Sequence, residues 1–263
     1  MSNIFNTNAT VLENIKVNPQ TFRLILKAPK IASHVVPGQF CMVKTRDNSY
    51  QDPLLRRPFS INRVKEDNIH ILYRIVGKGT QYMSNLSKGD KIELLGPLGN
   101  GFTLKKDTKN ILVAGGMGIA PISFLATRLP NPKDSIILIG AANRDEIFDV
   151  DYLKRLGINL LIATDDGSLG KKAFVTDLLR DLLNNLYKKR ENIMIYSCGP
   201  YPMLKALANI CKEFNIRAQV SMEAKMACGI GLCLGCVISG KDEKFLHVCK
   251  DGPVFYTDDI YWS

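Results

Sequence analysis

The sequence contains no apolar run long enough to span a membrane. Its longest uncharged apolar stretch, residues 111–126, is interrupted by three glycines and a proline and falls short of the roughly 20 residues that a membrane-spanning helix needs. The first six residues carry neither a basic nor an apolar segment, so we expect no secretory leader. Hydrophobic residues make up 46% and charged residues 23% of the 263 positions, which excludes a disordered or collagen-like chain and is typical of a globular protein with two or more domains.

The chain also lacks any run of five or more basic residues, although its formal net charge is +10. The charge is unevenly distributed. Residues 1–108 hold 16 basic and 8 acidic side chains, residues 109–222 hold 15 and 11, and residues 223–263 hold 4 and 6. Because no basic arm is present, the excess charge does not indicate nucleic acid. We expect neither nucleic acid nor a membrane as a partner.

Two different patterns of predicted secondary structure divide the chain. Residues 1–108 alternate short apolar strands with Gly- and Pro-containing turns, which predicts a six-stranded antiparallel barrel with one short helix at 81–86. Its strands are expected at 11–17, 22–27, 39–44, 58–62, 69–76 and 91–95. Residues 109–222 alternate buried strands with helices, which predicts a five-stranded parallel, Rossmann-like domain, and residues 223–263 are expected to form a small third domain. The expected parallel strands are 111–114, 135–139, 159–163, 192–196 and 219–221.

Histidine is scarce, with three in the chain, whereas cysteines are clustered. Four of the seven fall near the C-terminus: Cys228, Cys233, Cys236 and Cys249. An odd number of cysteines without a leader argues against a disulfide framework and indicates a reducing, cytoplasmic compartment. The C-x4-C-x2-C…C spacing is that of plant-type [2Fe–2S] sites. Structural zinc is the alternative, but it usually takes two close pairs of ligands, and His247 alone does not support a Rieske centre.

A strand, a glycine turn and a helix start follow one another at 111–121. Gly116 and Gly118 would let a pyrophosphate approach the backbone, where free N–H groups at the helix start bind it. The pattern Gly116-x-Gly118-x-x-Pro121 departs from G-x-G-x-x-G, so by itself it fits a tight strand-to-helix turn as well. Cys198 ends the fourth strand of the same sheet, where open α/β folds bind ligands. No histidine lies near Cys198 in the sequence, which argues against a nucleophile.

The antiparallel segment carries three further motifs. They are Arg57-Pro58-Phe59-Ser60, Leu72-Tyr73-Arg74 and Gly77-Lys78-Gly79-Thr80. The first puts a guanidinium, an aromatic ring and a hydroxyl on one strand. The last is a glycine turn that feeds a short helix, a typical anion site, with Thr80 as the expected N-cap. Taken singly, Arg57 fits a solvated barrel edge equally well, and Tyr73 fits a core aromatic residue.

Together these motifs resemble the ferredoxin–NADP reductase superfamily. Residues 57–60 are similar to its R-x-[YF]-[ST] flavin motif, and residues 115–121 and 198–203 are similar to its nicotinamide-side motifs. Residues 226–236 and 249–255 narrow the resemblance to the electron-transfer subunits of the NAD-dependent dihydroorotate dehydrogenase family. Related sulfide dehydrogenase and ferredoxin–NADP transhydrogenase subunits usually have Asp at the position of Cys228, which favours the dihydroorotate branch.

The resemblance implies an oxidoreductase subunit with FAD and a [2Fe–2S] cluster as cofactors and NAD as co-substrate. It implies that electrons pass from the FMN of a separate dihydroorotate dehydrogenase catalytic subunit, in pyrimidine biosynthesis, through the cluster and FAD to NAD+. A heterotetramer is the implied assembly. The implied FAD-binding residues are Arg57, Pro58, Phe59, Ser60, Leu72, Tyr73, Arg74, Gly79 and Thr80. Gly116, Gly118 and Cys198 would border the nicotinamide nucleotide, and Cys228, Cys233, Cys236 and Cys249 would hold the cluster.

Within this resemblance, Arg57 and Thr80 would hold the FAD pyrophosphate and Ser60 would hydrogen-bond near flavin N5. No residue is expected to act as an acid–base catalyst, because the cofactors carry the chemistry. Asp165 and Asp166 after the third parallel strand favour NAD over NADP, although Arg144 leaves that preference open.

Two alternative functions stay open at this point. One is a stand-alone or differently partnered NAD(P)H-dependent flavin and iron–sulfur reductase of the oxygenase, hydrogenase or sulfide dehydrogenase type. The other is a zinc-stabilised nucleotide-binding module without enzyme activity. Hydrolysis is not expected, because the sequence has no paired carboxylates and no Ser/His/Asp arrangement.

Overall fold

The structure is a computed structural model that describes residues 3–45, 52–105, 107–187 and 192–263. The strands of the first segment are β1 (Phe5–Lys16), β2 (Thr21–Lys27), β3 (Phe40–Val43), β4 (Arg57–Ser60), β5 (Arg63–Lys65), β6 (Asn68–Arg74) and β7 (Lys91–Leu98). Those that follow are β8 (Lys109–Gly115), β9 (Ile136–Ala141), β10 (Asn159–Thr164), β11 (Lys171–Lys172), β12 (Ile193–Cys198), β13 (Arg217–Ser221), β14 (Val237–Ser239), β15 (Phe245–His247) and β16 (Val254–Tyr256). The α-helices are α1 (Pro29–Ala32), α2 (Lys78–Ser84), α3 (Ile119–Ala126), α4 (Val150–Arg155), α5 (Val175–Tyr187) and α6 (Tyr201–Glu213).

The expected antiparallel domain is confirmed, with one strand more than the sequence predicts. Seven strands pair in the order β4-β3-β7-β1-β2-β6-β5, and within the described residues the sheet does not close between β4 and β5, so it forms a half-barrel. The additional strand, β5, has three residues and is too short to show the alternation by which strands are predicted. Alternate residues of the longer strands fill the core, as Leu24 and Leu26 of β2 and Ile69 and Ile71 of β6 do.

The expected five-stranded parallel sheet is also confirmed. Strands β10, β9, β8, β12 and β13 lie in that order and run parallel. The chain moves from β8 to β9 on one side and returns to β12 on the other, so the carboxyl ends of β8 and β12 meet at the switch point of the sheet. Ligands bind at this place in open α/β folds.

The last segment of the chain extends this sheet. Strand β16 pairs antiparallel with β13, which makes the sheet mixed at that edge, and the two-residue β11 pairs with β10 at the other edge. Strands β14 and β15 form a separate hairpin. Buried Cys236, Val248 and Cys249 share one apolar core with Met42 of β3 and Leu98 of β7. The domain boundaries at 108 and 222 therefore stay a prediction, since the third segment shares a core with both others. In the described part of the chain, no helix has the length and apolar character needed to cross a membrane.

His70, on β6, is a half-buried residue beside two arginines. It pairs with Arg63 of β5, and its Nδ1 atom has no hydrogen-bond partner among the described residues. Burial, followed by the charges of Arg63 and Arg23, lowers the pKa of His70 to about 4. Between pH 6.5 and 4 the unfolded chain therefore binds a proton at this histidine that the folded chain does not. The contribution of His70 to the free energy of unfolding should therefore be constant above pH 6.5. It should lower the free energy of unfolding as the pH drops from 6.5 to 4.

Between pH 6.5 and 4, we expect the free energy of unfolding of His70→Gln to fall by about 2 kcal/mol less than that of the unmutated protein. This value is below the one that the full pKa shift of His70 implies, because partial solvent access screens the charge. Denaturant unfolding of both proteins at pH 7, 5.5 and 4 measures it. The exposed His34 supplies the control, and His34→Gln should keep the pH dependence of the unmutated protein. Parallel stability curves for His70→Gln and the unmutated protein would contradict the prediction.

Candidate functional site

Two adjoining cavities lie beside β4 and share Pro58, Phe59, Arg74 and Val76 in their linings. One, of about 450 Å³, is also lined by Arg57 and by residues 77–80. The other, of about 320 Å³, extends toward the nucleotide domain. Its further lining residues include Ser60, Leu72, Tyr73, Met117, Ala120, Cys198, Glu223 and Met226. All nine residues implied for FAD therefore line one continuous cleft.

The outer part of this cleft is rich in positive charge. Arg57, Arg74 and Lys78 line it, and Lys78 is ion-paired with Asp52 at the rim. The Arg57 Nη1 atom donates to the Leu55 carbonyl at 2.6 Å, which orients the guanidinium at the sheet edge. Cationic side chains beside a short helix suit an anionic pyrophosphate. The donor set at this end of the cleft therefore fits the phosphates of a dinucleotide.

Thr80 is not the N-cap that the sequence predicts. Helix α2 begins at Lys78, its N-cap is Gly77, and Thr80 lies in the first turn. The Thr80 hydroxyl accepts from the backbone N–H groups of Val76 at 2.8 Å and Gly77 at 3.2 Å. The hydroxyl thus closes the entrance of the helix, and a phosphate would meet the turn rather than a free hydroxyl.

Tyr73 contributes little side chain to the cleft. Its ring is buried, lies 5.7 Å from the Phe22 ring and 6.1 Å from the Phe59 ring, and its hydroxyl donates to Asn14 at 3.1 Å. Burial raises the pKa of this phenol to about 12. Tyr73 therefore packs as a core aromatic residue. The small part of it that lines the cleft lies next to Leu72 and Arg74.

The two glycines of the nucleotide turn have different surroundings. Gly116 has a φ of +51°, and a Cβ atom there would meet no atom within 4 Å. At Gly118, by contrast, a Cβ atom would overlap the Cys198 carbonyl oxygen. Gly116 thus borders open space, whereas Gly118 allows the turn to pack against the end of β12.

A third cavity, of about 470 Å³, lies at the carboxyl ends of β8, β9 and β10. Gly116 borders it, together with Glu146, Asp165 and Phe174. Phe174 is 65% exposed although it is aromatic, which suits a residue that contacts a planar ligand in this cavity. Glu146 and Phe174 were not predicted from the sequence. An aromatic directly before a helix that follows a parallel strand was the signal available for Phe174.

Cys198 and Glu223 lie where the flavin cleft meets the nucleotide turn. Burial raises the pKa of the Cys198 thiol to about 12, so it is neutral and unsuited to nucleophilic attack at neutral pH. Burial also raises the pKa of the Glu223 carboxyl. Ser221, which precedes Glu223 by two residues, pairs with Cys198 across the sheet. Glu223 was not predicted from the sequence, although its position two residues after the last parallel strand was a signal.

The four clustered cysteines converge in two pairs. The thiols of Cys228 and Cys233 interact directly, as do those of Cys236 and Cys249, and the Cys249 thiol also interacts electrostatically with that of Cys228. Backbone N–H groups point at the sulfurs: that of Gly231 lies 3.1 Å from Cys249 Sγ, and that of Cys233 lies 3.4 Å from Cys228 Sγ. Such donors stabilise thiolates that bind metal. The loop brings them close because Gly229 and Gly231 adopt positive φ.

Pairing of the thiols distinguishes the two metal hypotheses. Structural zinc needs four ligands around one centre, whereas a cluster with two irons takes two thiolates at each. The arrangement therefore fits a [2Fe–2S] cluster better than zinc.

A flavin-sized cleft, a nucleotide cavity and paired thiols define an iron–sulfur flavoprotein oxidoreductase of the ferredoxin reductase class. Family models agree for each part of the chain. Residues 8–102 match an oxidoreductase FAD-binding domain, residues 112–209 match an oxidoreductase NAD-binding domain, and residues 223–261 match the iron-sulfur cluster binding domain of dihydroorotate dehydrogenase B. The chain belongs to the family of electron transfer subunits of dihydroorotate dehydrogenase B (NAD(+)).

Relatives in this family match nearly the whole chain. The electron transfer subunit of Fusobacterium nucleatum is 39% identical over 263 residues, which cover 96% of this chain and 97% of the relative. That of Desulforamulus reducens is 37% identical and covers both chains fully.

Solved structures share the fold. The NADH-dependent reduced ferredoxin-NADP oxidoreductase aligns with a TM-score of 0.82 at 26% identity, over 97% of this chain and 90% of that one. Ferredoxin-NADP+ reductase of Plasmodium falciparum aligns with a TM-score of 0.63 at 20% identity, over 82% of this chain and 96% of that one.

Proposed function

We propose that this chain carries electrons from the FMN of a dihydroorotate dehydrogenase catalytic subunit to NAD+. The observation that carries the proposal is the lining of the inner cleft. Ser60 comes from the antiparallel domain, Met117 and Cys198 from the nucleotide domain, and Met226 from the segment that leads into the cysteine loop. The flavin strand and the nucleotide turn therefore meet in this cleft, and Met226 places the start of the cysteine loop beside it, as a chain of electron carriers requires.

The residues of this chain bind and orient the cofactors. Arg57 and Arg74 neutralise a pyrophosphate, the Ser60 hydroxyl offers a hydrogen bond in the inner cleft, and Gly116 leaves room for the nicotinamide nucleotide. When bound, FAD supplies the exchange between single electrons and hydride, and the cluster supplies transfer of single electrons. The acidic cofactors are also the proposed counter-charge to the excess of basic side chains in residues 1–222.

The cysteine loop is the proposed docking surface for the catalytic subunit. Cys233 is exposed at its tip, between Leu232 and Leu234, whose side chains are 78% and 60% exposed. Three exposed apolar residues within five positions, with Ile230 as the third, mark an interaction site. We propose a heterotetramer of two such chains and two FMN-containing catalytic subunits, in the cytoplasm.

A spectrum followed by a mixing assay tests the proposed function. The purified protein should show flavin bands together with a broad absorption that dithionite bleaches. Addition of dihydroorotate and an FMN-containing dihydroorotate dehydrogenase catalytic subunit should then reduce NAD+. A colourless protein that holds zinc would overturn the proposal. Flavin and cluster bands with NADH oxidation, but without any reduction of NAD+ by dihydroorotate, would assign the chain to a reductase with another partner.

Leu232→Glu should separate partner binding from cofactor chemistry. A charge at the tip of the loop must be desolvated on docking, so we expect at least a tenfold weaker complex with the catalytic subunit. Dihydroorotate-dependent reduction of NAD+ should fall in proportion, while NADH-dependent reduction of ferricyanide stays unchanged. Val17→Glu, at an exposed apolar residue far from the loop in sequence, is the control. Unaltered affinity of Leu232→Glu in a titration would place the docking surface elsewhere.

Asp165 is the proposed determinant of the preference for NAD. It lies at the end of β10 and lines the nucleotide cavity, and no Lys or Arg is among the described residues that line it. A carboxylate here repels the extra phosphate of NADP. We expect Asp165→Ser to raise kcat/KM for NADPH relative to NADH about tenfold, which corresponds to about 1.4 kcal/mol of like-charge repulsion.

Ferricyanide reduction with each nucleotide measures this ratio. The control is Asp166→Asn, because the Asp166 carboxylate accepts from the Ser168 N–H and hydroxyl and does not line the cavity. A larger change of the ratio in Asp166→Asn than in Asp165→Ser would contradict the assignment.

A further inference from the structure

A buried carboxylate, that of Asp149, lies between the antiparallel domain and the nucleotide domain. Its side chain has no solvent exposure. Asp149 adopts a left-handed φ of 64° directly before α4. This conformation is uncommon for residues other than glycine, although Asp adopts it more readily than most. Neither the flavin cleft nor the nucleotide cavity uses this residue.

The carboxylate accepts hydrogen bonds from both domains. Its Oδ1 atom is ion-paired with Arg23 of β2 and with Arg63 of β5. Its Oδ2 atom accepts from Asn62 Nδ2 at 2.8 Å and from Ser123 Oγ at 2.7 Å. Asn62 and Ser123 are themselves fully buried. Both oxygens are thus paired, which a carboxylate withdrawn from water requires.

Two of these partners, Asn62 and Ser123, lie close in the chain to the flavin strand and to the nucleotide turn. Asn62 follows Ser60 of the flavin strand by two residues. Ser123 belongs to α3, which starts directly after the turn at Gly116–Gly118. Asn62 Nδ2 also lies 3.5 Å from the carbonyl of Ala120, a residue of α3 that lines the inner cleft. One carboxylate therefore ties the strand beneath the flavin site to the helix behind the nicotinamide site.

The two arginines make this tie strongly dependent on the negative charge. Arg23 and Arg63 face the same oxygen, and their buried Nε atoms have no partner among the described residues. The Arg63 guanidinium also lies 3.5 Å from the centroid of the Tyr152 ring of α4. The ring of His70 lies near both arginines, and burial with their charges lowers its pKa to about 4, so it supplies no further positive charge at neutral pH. Without the Asp149 charge, two cations of one domain would confront the other domain without a counter-ion.

Neighbouring contacts connect the same segment to the antiparallel domain. Asn18 Nδ2 donates to the Asp145 carbonyl at 2.8 Å, and Arg74 is ion-paired with Glu146 at 3.0 Å. Arg74 lines the flavin cleft and Glu146 lines the nucleotide cavity. Residues 145–149 thus run along the boundary between the two sites, and Asp149 is their buried end.

We propose that Asp149 is a positioning residue that fixes the flavin strand relative to the nicotinamide turn for hydride transfer. The proposal rests on the proposed exchange of hydride between NADH and FAD, in which two electrons and one proton move together from one ring to the other. Such a transfer needs the reacting atoms about 3–3.5 Å apart, and a misplacement of about 1 Å costs up to a hundredfold in rate. Loss of the tie should therefore slow the transfer more than it weakens nucleotide binding.

The test compares Asp149→Asn and Ser123→Ala with a control, Asp151→Asn. Asp151 is an exposed carboxylate in α4, the helix that Asp149 precedes. Stopped-flow reduction of the bound flavin by NADH separates the limiting rate from the nucleotide Kd. We expect Asp149→Asn to lower the limiting rate at least 30-fold with a Kd changed less than threefold, and Ser123→Ala to lower it less. Asp151→Asn should change neither. A limiting rate of Asp149→Asn within threefold of the unmutated protein would overturn the proposal.

Hydrogen exchange gives a readout that does not need the loaded enzyme. In protein without nucleotide, Asp149→Asn should increase amide exchange at least tenfold in residues 61–65 and 119–126 and leave the cysteine loop and its absorption unchanged. Unchanged exchange in both segments would also overturn the proposal, as would a slower rate that comes entirely from a raised Kd. Absence of NADH-dependent flavin reduction in the unmutated protein would instead refute the proposed function, while the exchange measurement still reports on the tie between the domains.

Discussion

Cys233→Ser is expected to abolish the iron–sulfur absorption and to reduce electron transfer from the catalytic subunit to NAD+ at least a hundredfold. A serine hydroxyl stays protonated at neutral pH and is a poor iron ligand, whereas a thiolate is a strong one. Cys233 is exposed at the tip of its loop, so the substitution removes a ligand without opening a cavity in the core. FAD content and NADH-dependent reduction of ferricyanide should stay near their original values, since the FAD cleft contains none of the four thiols.

The absorption spectrum, the iron content and the two activities measure this outcome together. Cys211→Ala is the matched control, because Cys211 is a buried cysteine of α6 outside the cluster. It should cost some stability through lost packing and leave the iron content unchanged. Retention of the cluster bands in Cys233→Ser would remove this residue from the ligand set. Loss of FAD as well as the cluster would show that the two sites fold as one unit. Met42 and Leu98 provide a route for such coupling, because they share one core with the cysteine segment.

Arg57→Ala is expected to weaken FAD binding about 10- to 100-fold. A hydrogen bond to a charged group contributes about 1.5–3 kcal/mol, and each 1.4 kcal/mol is a factor of ten in Kd. Arg57 lines the outer cleft, and its orientation by the Leu55 carbonyl places the guanidinium where a pyrophosphate would lie. Arg57→Lys should recover part of the affinity, because it keeps the charge but not the planar pair of donors.

Titration of the protein freed of FAD, followed by flavin fluorescence, measures this affinity. The neighbouring Arg56 offers a control, since its guanidinium pairs with Glu93 and Asn6 and lines neither part of the cleft. Arg56→Ala should lower the free energy of unfolding by at most about 1 kcal/mol and leave the FAD affinity unchanged. Equal FAD affinity of Arg57→Ala and the unmutated protein would exclude Arg57 from the binding site.

Much of the fold could be read from local patterns. The five parallel strands were predicted because each is a short apolar run flanked by turn residues. Strand β5 could not be predicted, because its pairing with β6 and its packing against α3 involve three residues without a periodic signal. The prediction that Thr80 is the N-cap of α2 was wrong, because a threonine in the first turn and a threonine at the N-cap look the same in sequence. Only the position of Gly77 in three dimensions distinguishes them.

The candidate sites divide in the same way. The motif residues were found because each motif is local: a turn, a strand edge or a loop whose spacing alone brings its members together. Glu223, Phe174 and Asp149 were missed because each gains its meaning from residues far away in the chain. Asp149, for example, is ordinary in sequence, and only its contact with Arg23, 126 residues away, makes it a buried charge.

The sequence by itself determined which chemistry this protein can hold. The C-x4-C-x2-C spacing specifies three thiols on one loop, and the Arg57–Ser60 and Gly115–Pro121 motifs specify an anion-binding strand and turn, because these properties depend on neighbours in the chain. Only the tertiary structure decided that the thiols form two pairs and that the flavin strand, the nucleotide turn and the start of the cysteine loop meet at one cleft. It also decided that a carboxylate holds two of the sites together. These features arise from packing between segments far apart in sequence, which local patterns do not specify.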